Sequence, residues 1–147
     1  PTLICPSDPT PELNPNGSND GKCNYLPSAQ ICINTTPAVS LRINLKDILD
    51  GTSATFMIGE RSIPDDLGWG WMICGGTECE HYLSAKRGLS PRSNNYWTDV
   101  RHFWSWHPGG THFAMSDGSV QFLAYEMDYN TYLALATRNG GEAVGRP

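Results

Sequence analysis

The residues best placed to do chemistry are two histidines and a carboxylate on one short stretch. His107 is followed by nine residues and then by Asp117-Gly118, with His112 midway between. A histidine and an aspartate at hydrogen-bond distance form an acid/base dyad, and two histidines with a carboxylate form a transition-metal set. The spacing argues against the dyad: His107 enters a Pro108-Gly109-Gly110 bend, Asp117 lies at a turn, and a strand's length separates them. Pairs of histidines beside a Gly-rich loop commonly occur without metal, so the favoured reading has His107 holding the bend by bonding to backbone. No Ser-His-Asp order or nucleophile elbow is present. Gly109-Gly110 is not followed by the Lys-Ser or Lys-Thr of a phosphate loop.

These residues must be positioned by a β-hairpin. Asp117-Gly118 suits a two-residue type I′ loop, since Gly accepts positive φ and Asp tolerates it. That loop pairs Ser116 with Ser119, Met115 with Val120, Ala114 with Gln121 and Phe113 with Phe122. One face then carries Phe113, Met115, Val120 and Phe122, with Ala114 and Gln121 on the other. Upstream, Leu45 to Leu49 is predicted to form a short helical turn ended by Asp50-Gly51. Ala54 to Glu60 alternates as a strand, with Phe56 and Ile58 on one face, and should be central. Trp69 to Cys74 reads as another strand, Ala29 to Ile33 as a weak one, and Glu80 to Asn95 as loop. A helix should run from an Asp128 N-cap to Gly140, with Tyr132, Leu133, Leu135 and Ala136 as its apolar stripe and Arg138 in its last turn.

Several stretches occur in an order that resembles a known family. LICPSDP at 3–9, Asn24-Tyr25, DILDGTSATFMIGE at 47–60, His107 with Asp117-Gly118, and LALATRNGGEAVG at 133–145 resemble the boxes of the planctomycete-type pseudopilin-like proteins with an H-X9-DG motif. The resemblance implies the globular head of a type II secretion pseudopilin lacking its N-terminal pilin helix, placed outside the cytoplasm at the cell surface, in the periplasm or beyond. It marks His107, Gly109, Gly110, Asp117, Gly118, Asp50, Gly51 and Glu60 as motif or structural positions. Calcium, which orders carboxylate-rich loops in some pseudopilin heads, is the candidate cofactor, with Asp117, Asp50, Asn16 and Asp20 as ligands and no cofactor certain. Asn14, Asn16, Ser18 and Asp20 alternate before Gly21 with a faintly calcium-like spacing, but without the central Gly and distal Glu of an EF-hand.

Five cysteines outside the cytoplasm would be expected to pair, leaving one over. Cys74-Gly-Gly-Thr-Glu-Cys79 is the easiest local bridge and Cys23 with Cys32 the next, which leaves Cys5. Zinc is disfavoured by the lack of CxxC spacing. Asn16-Gly-Ser and Asn34-Thr-Thr are glycosylation sequons and so expected at the surface.

A chain of 147 residues fits one domain, 1–147. Only 17% charged residues with 15 Gly and 11 Pro suggest a loop-rich β or α+β protein with a polar but weakly charged surface. The hairpin, the C-terminal helix and the resemblance together make the expected fold α+β on an antiparallel sheet. The formal charge of −5 argues against nucleic acid. No apolar run approaches the ~20 residues of a membrane span, so no membrane contact by this fragment is expected. The aromatics Tyr96, Trp97, Phe103, Trp104 and Trp106, after Trp69 and Trp71, could stack on sugars if exposed, though burial explains them at least as well. The favoured expectation is a non-enzymatic structural subunit of an extracellular or cell-envelope filament, partnered by other pilin-like subunits or by itself. A carbohydrate-binding module is the alternative and a metal-dependent enzyme a distant third.

Overall fold

The computed structural model describes residues 3–9, 23–32, 43–62 and 82–141. Four strands form one antiparallel sheet in sequence order: β1 (Tyr25–Pro27), β2 (Phe56–Glu60), β3 (Gly110–Met115) and β4 (Val120–Ala124). Short helices α1 (Ala29–Cys32), α2 (Tyr96–Asp99) and α3 (Tyr129–Ala134) and three 3₁₀ turns complete a mixed α+β fold. No helix among the described residues is long and apolar enough to cross a membrane. The expected strand at Trp69 to Cys74, the Cys74–Cys79 bridge, and Asn16, Asp20 and Asn34 lie outside the described residues.

The expected hairpin forms, but one residue out of the expected register. His112 pairs with Phe122, Phe113 with Gln121 and Ala114 with Val120. The loop is therefore three residues, 116–118, closed by Gly118 N–H to Met115 O at 3.0 Å and Met115 N–H to Ser119 O at 2.8 Å. Gly118 takes φ +86°, as in a type I turn followed by a left-handed bulge residue. Because side chains alternate, this slip sends Val120 and Phe122 to the outer face, where they are 66% and 46% exposed, and brings Leu123 inward at 0%. The expected shared face of Phe113, Met115, Val120 and Phe122 does not exist.

Strand β2 lies inside the sheet, as expected, but its register shifts between Phe56 and Ile58. Phe56 opposes Met115 and Gly59 opposes Phe113. The bulge thus separates Phe56 from Ile58, which sequence alternation placed on one face. Phe56 packs on Phe113 with ring centroids 4.4 Å apart and stacks on Tyr132 at 5.6 Å. Burying rings of this size stabilises by about 1.5–3 kcal/mol each. A Cβ at Gly59 would stand 2.6 Å from Phe103 Cδ1, so only glycine fits between these rings.

Around this core the chain differs from expectation in three places. The strand expected at Ala29 to Ile33 is helix α1, and pairing occurs just before it at β1, an edge where Pro27 removes no needed donor. Leu83 and Ala85, inside the expected Glu80–Asn95 loop, are fully buried in the core. Helix α3 starts at the expected cap, Asp128 Oδ1 accepting Thr131 N–H at 2.9 Å, but stops at Ala134. Its continuation is prevented because Leu135 O accepts from Phe56 N–H and Arg138 O from Leu49 N–H, so those carbonyls serve other segments.

Candidate functional site

The stretches that carry the family resemblance meet at the two ends of β3. At the far end, the turn after β3 docks on the Asp-Gly-Thr-Ser segment. Asp117 N–H donates to Thr52 O at 3.1 Å, and Ser116 N–H and Oγ both donate to Thr55 O at 2.8 Å. Asp117 Oδ1 accepts from Ser119 N–H at 2.9 Å and Ser119 Oγ at 2.6 Å. Asp50, beyond Gly51 and the 3₁₀ turn Thr52–Ala54, accepts from Gly140 N–H at 2.8 Å, Gly141 N–H at 2.9 Å and Thr137 Oγ1 at 3.0 Å. Slight burial would raise the Asp50 pKa, but these bonds to the ionised form outweigh it and hold the carboxyl below its ordinary value. Both carboxylates therefore order backbone, Asp117 at the turn after β3 and Asp50 at the Gly140–Gly141 segment. Of the expected calcium ligands, Asp117 and Asp50 stand in these turns, and Asn16 and Asp20 lie outside the described residues.

At the near end, the other boxes converge. Cys5 N–H donates to Asn24 Oδ1 at 2.8 Å, and Asn24 Nδ2 donates to Asp8 Oδ2 at 2.6 Å. Ser62 Oγ also donates to Asp8 and accepts from the Trp106 indole N–H at 2.6 Å. This lattice fixes the 3–9 segment against the ends of β1 and β2. It lines a small, half-open cleft bounded by Cys5, Asn24, Glu60, Arg61, Trp104 and Trp106.

Glu60, the last residue of β2, is buried at 2% exposure. Its Oε2 stands where a neighbouring strand's carbonyl would, accepting from His112 N–H at 2.8 Å, Thr111 Oγ1 at 3.1 Å and, across 3.2 Å, facing His112 Nδ1. Its Oε1 faces His107 Nε2 at 3.5 Å. The same Nε2 lies 3.4 Å from Cys5 Sγ, while His107 Nδ1 faces Ser7 Oγ at 3.4 Å. The His107 and His112 rings meet edge to face with centroids 4.8 Å apart. Burial, together with the neighbouring Glu60, pushes the Cys5 thiol above its ordinary pKa, partly offset by bonds from Ser7.

The structure thus brings His107, His112, Glu60 and Cys5 together and leaves Asp117 at the other end of β3. The backbone-holding role expected for His107 goes instead to its neighbours: Ser105 Oγ accepts from His107 N–H at 3.1 Å and donates to Gly110 O at 2.8 Å. Gly109 O accepts from Tyr125 N–H at 2.9 Å. Sequence reasoning passed over Cys5 as a leftover thiol and Ser7 altogether, although both stand in the Cys-Pro-Ser-Asp box. Cys23 is likewise a free, buried thiol donating to Tyr25 O at 3.1 Å, so the expected bridge to Cys32 is not formed.

Such a cluster of thiol, imidazole and carboxylate can move a proton or hold a metal. A relay through His107 would need thiol and carboxylate on different ring nitrogens, since one nitrogen cannot accept a proton and donate one at once. Here both face Nε2.

A family model described as a protein of unknown function, DUF1559, matches residues 1–130. The chain belongs to this family. No curated protein and no solved structure matches this DUF1559 chain. Among the described aromatics of 96–106, Phe103 and Trp104 are buried, while Trp106 is partly exposed with the Arg92 guanidinium over its ring at 5.1 Å. Trp97 is exposed, with Arg101 over its ring at 5.7 Å.

Proposed function

We propose that the chain is a non-enzymatic structural subunit, the pseudopilin-like head of a filament or assembly at the cell surface or in the periplasm. Its partners are further copies of itself or other pilin-like subunits. The observation that carries this reading is the use made of the resembling boxes. Cys5 to Asp8, Asn24, Asp50 to Thr55, Glu60, His107 and Asp117-Gly118 each bond across to another part of the chain at one end or the other of β3. Residues whose task is to fix a scaffold's shape are what a family of building blocks would have in common. Strand β4 supports the same reading from outside. Among the described residues it pairs only with β3, and it presents Val120 and Phe122 to solvent. An unpaired edge with exposed apolar side chains is suited to joining another subunit.

The test is electron microscopy of native cell-envelope material labelled for this chain, compared with cells carrying Phe122→Asp. Labelled filaments or tubes of regular repeat, lost in the variant, are expected. Label dispersed without repeat in the wild type would overturn the reading. Binding on a glycan array by the dispersed protein, abolished by Trp97→Ala, would favour a carbohydrate-binding module instead.

A further inference from the structure

We propose that Cys5 Sγ, Glu60 Oε1 and His107 Nε2 are three ligands of a divalent transition-metal ion of the zinc class, with water in the fourth position. The ligand atoms of these three residues lie within 4.8 Å of one another. Sγ to Nε2 is 3.4 Å and Nε2 to Oε1 is 3.5 Å. An ion with bonds of about 2.0–2.3 Å to N, O and S at tetrahedral angles separates its ligand atoms by about 3.4–3.6 Å, so the two separations from His107 Nε2 already match edges of such a polyhedron.

The surroundings orient each ligand. Three donors occupy Glu60 Oε2 (His112 N–H, His112 Nδ1 and Thr111 Oγ1) and turn Oε1 toward the thiol and His107. Ser7 Oγ faces His107 Nδ1 at 3.4 Å and can accept a hydrogen bond from Nδ1–H, the tautomer that leaves the lone pair on Nε2. Asn24 holds the Cys5 backbone. A single imidazole nitrogen facing both a sulfur and a carboxylate oxygen is unsuited to a proton relay and suited to a shared cation. Binding releases the thiol proton to solvent, leaving thiolate, carboxylate and neutral imidazole around the ion. The ion would cross-link the 3–9 segment to residues 55 and 102 positions away in sequence, at the end of β2 and the entry to β3. This inference is independent of the assembly reading: either can hold when the other fails.

The test uses the full chain, freed of metal, titrated with cobalt(II) and then zinc(II). Expected are a thiolate-to-cobalt charge-transfer band with the d–d bands of a four-coordinate ion, saturating at one ion per chain and displaced by zinc. Cys5→Ser should abolish the charge-transfer band. His107→Gln changes a side chain 25% exposed and so leaves the core intact. It should weaken zinc by more than the about tenfold expected of the orienting variant Ser7→Ala. If Cys5→Ser does not fold, the wild-type spectrum and His107→Gln decide. No charge-transfer band in the wild type, a band that survives in folded Cys5→Ser, or unchanged zinc affinity in His107→Gln would overturn the proposal.

Discussion

The two ends of β3 use the same chemical groups in opposite ways. At the Asp117 end, Asp117 and Asp50 accept from backbone N–H groups and hydroxyls and close turns. At the His107 end, Glu60 closes the sheet with one oxygen and turns the other toward an imidazole and a thiol. The contrast teaches that a carboxylate's meaning depends on its spare lone pairs. One oxygen occupied by backbone N–H and side-chain donors is architecture, and one left facing a soft ligand and an imidazole is a site.

The largest effects should come from the two glycines that bound β3, for different reasons. A Cβ at Gly110 would run into the Leu123 carbonyl oxygen and the Phe122 ring, so Gly110→Ala should destabilise by about 3 kcal/mol, measured by chemical denaturation. Gly118 has open space around it and φ +86°. Gly118→Val should cost about 1–3 kcal/mol through backbone strain alone, and Gly118→Asn clearly less, because Asn tolerates the left-handed region. Equal losses for Asn and Val at 118 would mean that space, not conformation, governs this end too.

A smaller effect separates the carboxylates by pH. Because the folded pKa of Asp50 is depressed, its contribution is present above its ordinary value of 3.8 and is lost as pH falls through the lower folded value. Asp50→Asn should therefore lower Tm at neutral pH, by an amount equivalent to about 1 kcal/mol, and flatten the acid limb of the Tm profile. A variant that keeps the wild-type acid limb would show that the Gly140–Gly141 contacts do not depend on its charge. Smallest of all, Asp117→Asn should change stability by less than about 0.5 kcal/mol, since Asn Oδ1 can accept the same two bonds from Ser119. Adding calcium to metal-free protein should leave Tm unchanged in both wild type and variant. A calcium-dependent rise in Tm that Asp117→Asn removes would favour the calcium reading.

Sequence made the local features legible and hid the long-range ones. The Asp128 cap, the inner position of β2 and the positive φ of Gly118 follow from residue type and short spacing. The hairpin register did not, because a two-residue loop at 117–118 and a three-residue loop at 116–118 both place Gly118 at positive φ. What decides between them is whether Val120 and Phe122 or Leu123 joins Phe56, Phe103 and Tyr132 in the core, which is a tertiary matter. The site was hidden for a related reason. His107 and Cys5 are 102 residues apart and His107 and Glu60 lie on separate segments, so no local spacing sets the imidazole beside either of them.

The hairpin also makes β3 a ruler. At about 3.3 Å per residue, its six residues hold the imidazole and the Asp117 turn about 20 Å apart, against a fixed scale marked by Glu60 at one end of β2 and Thr55 at the other. The nine residues between His107 and Asp117 are a measured length. Deleting one would invert every side chain beyond the cut, and deleting two would keep the faces but pull one anchor off its mark by about 7 Å.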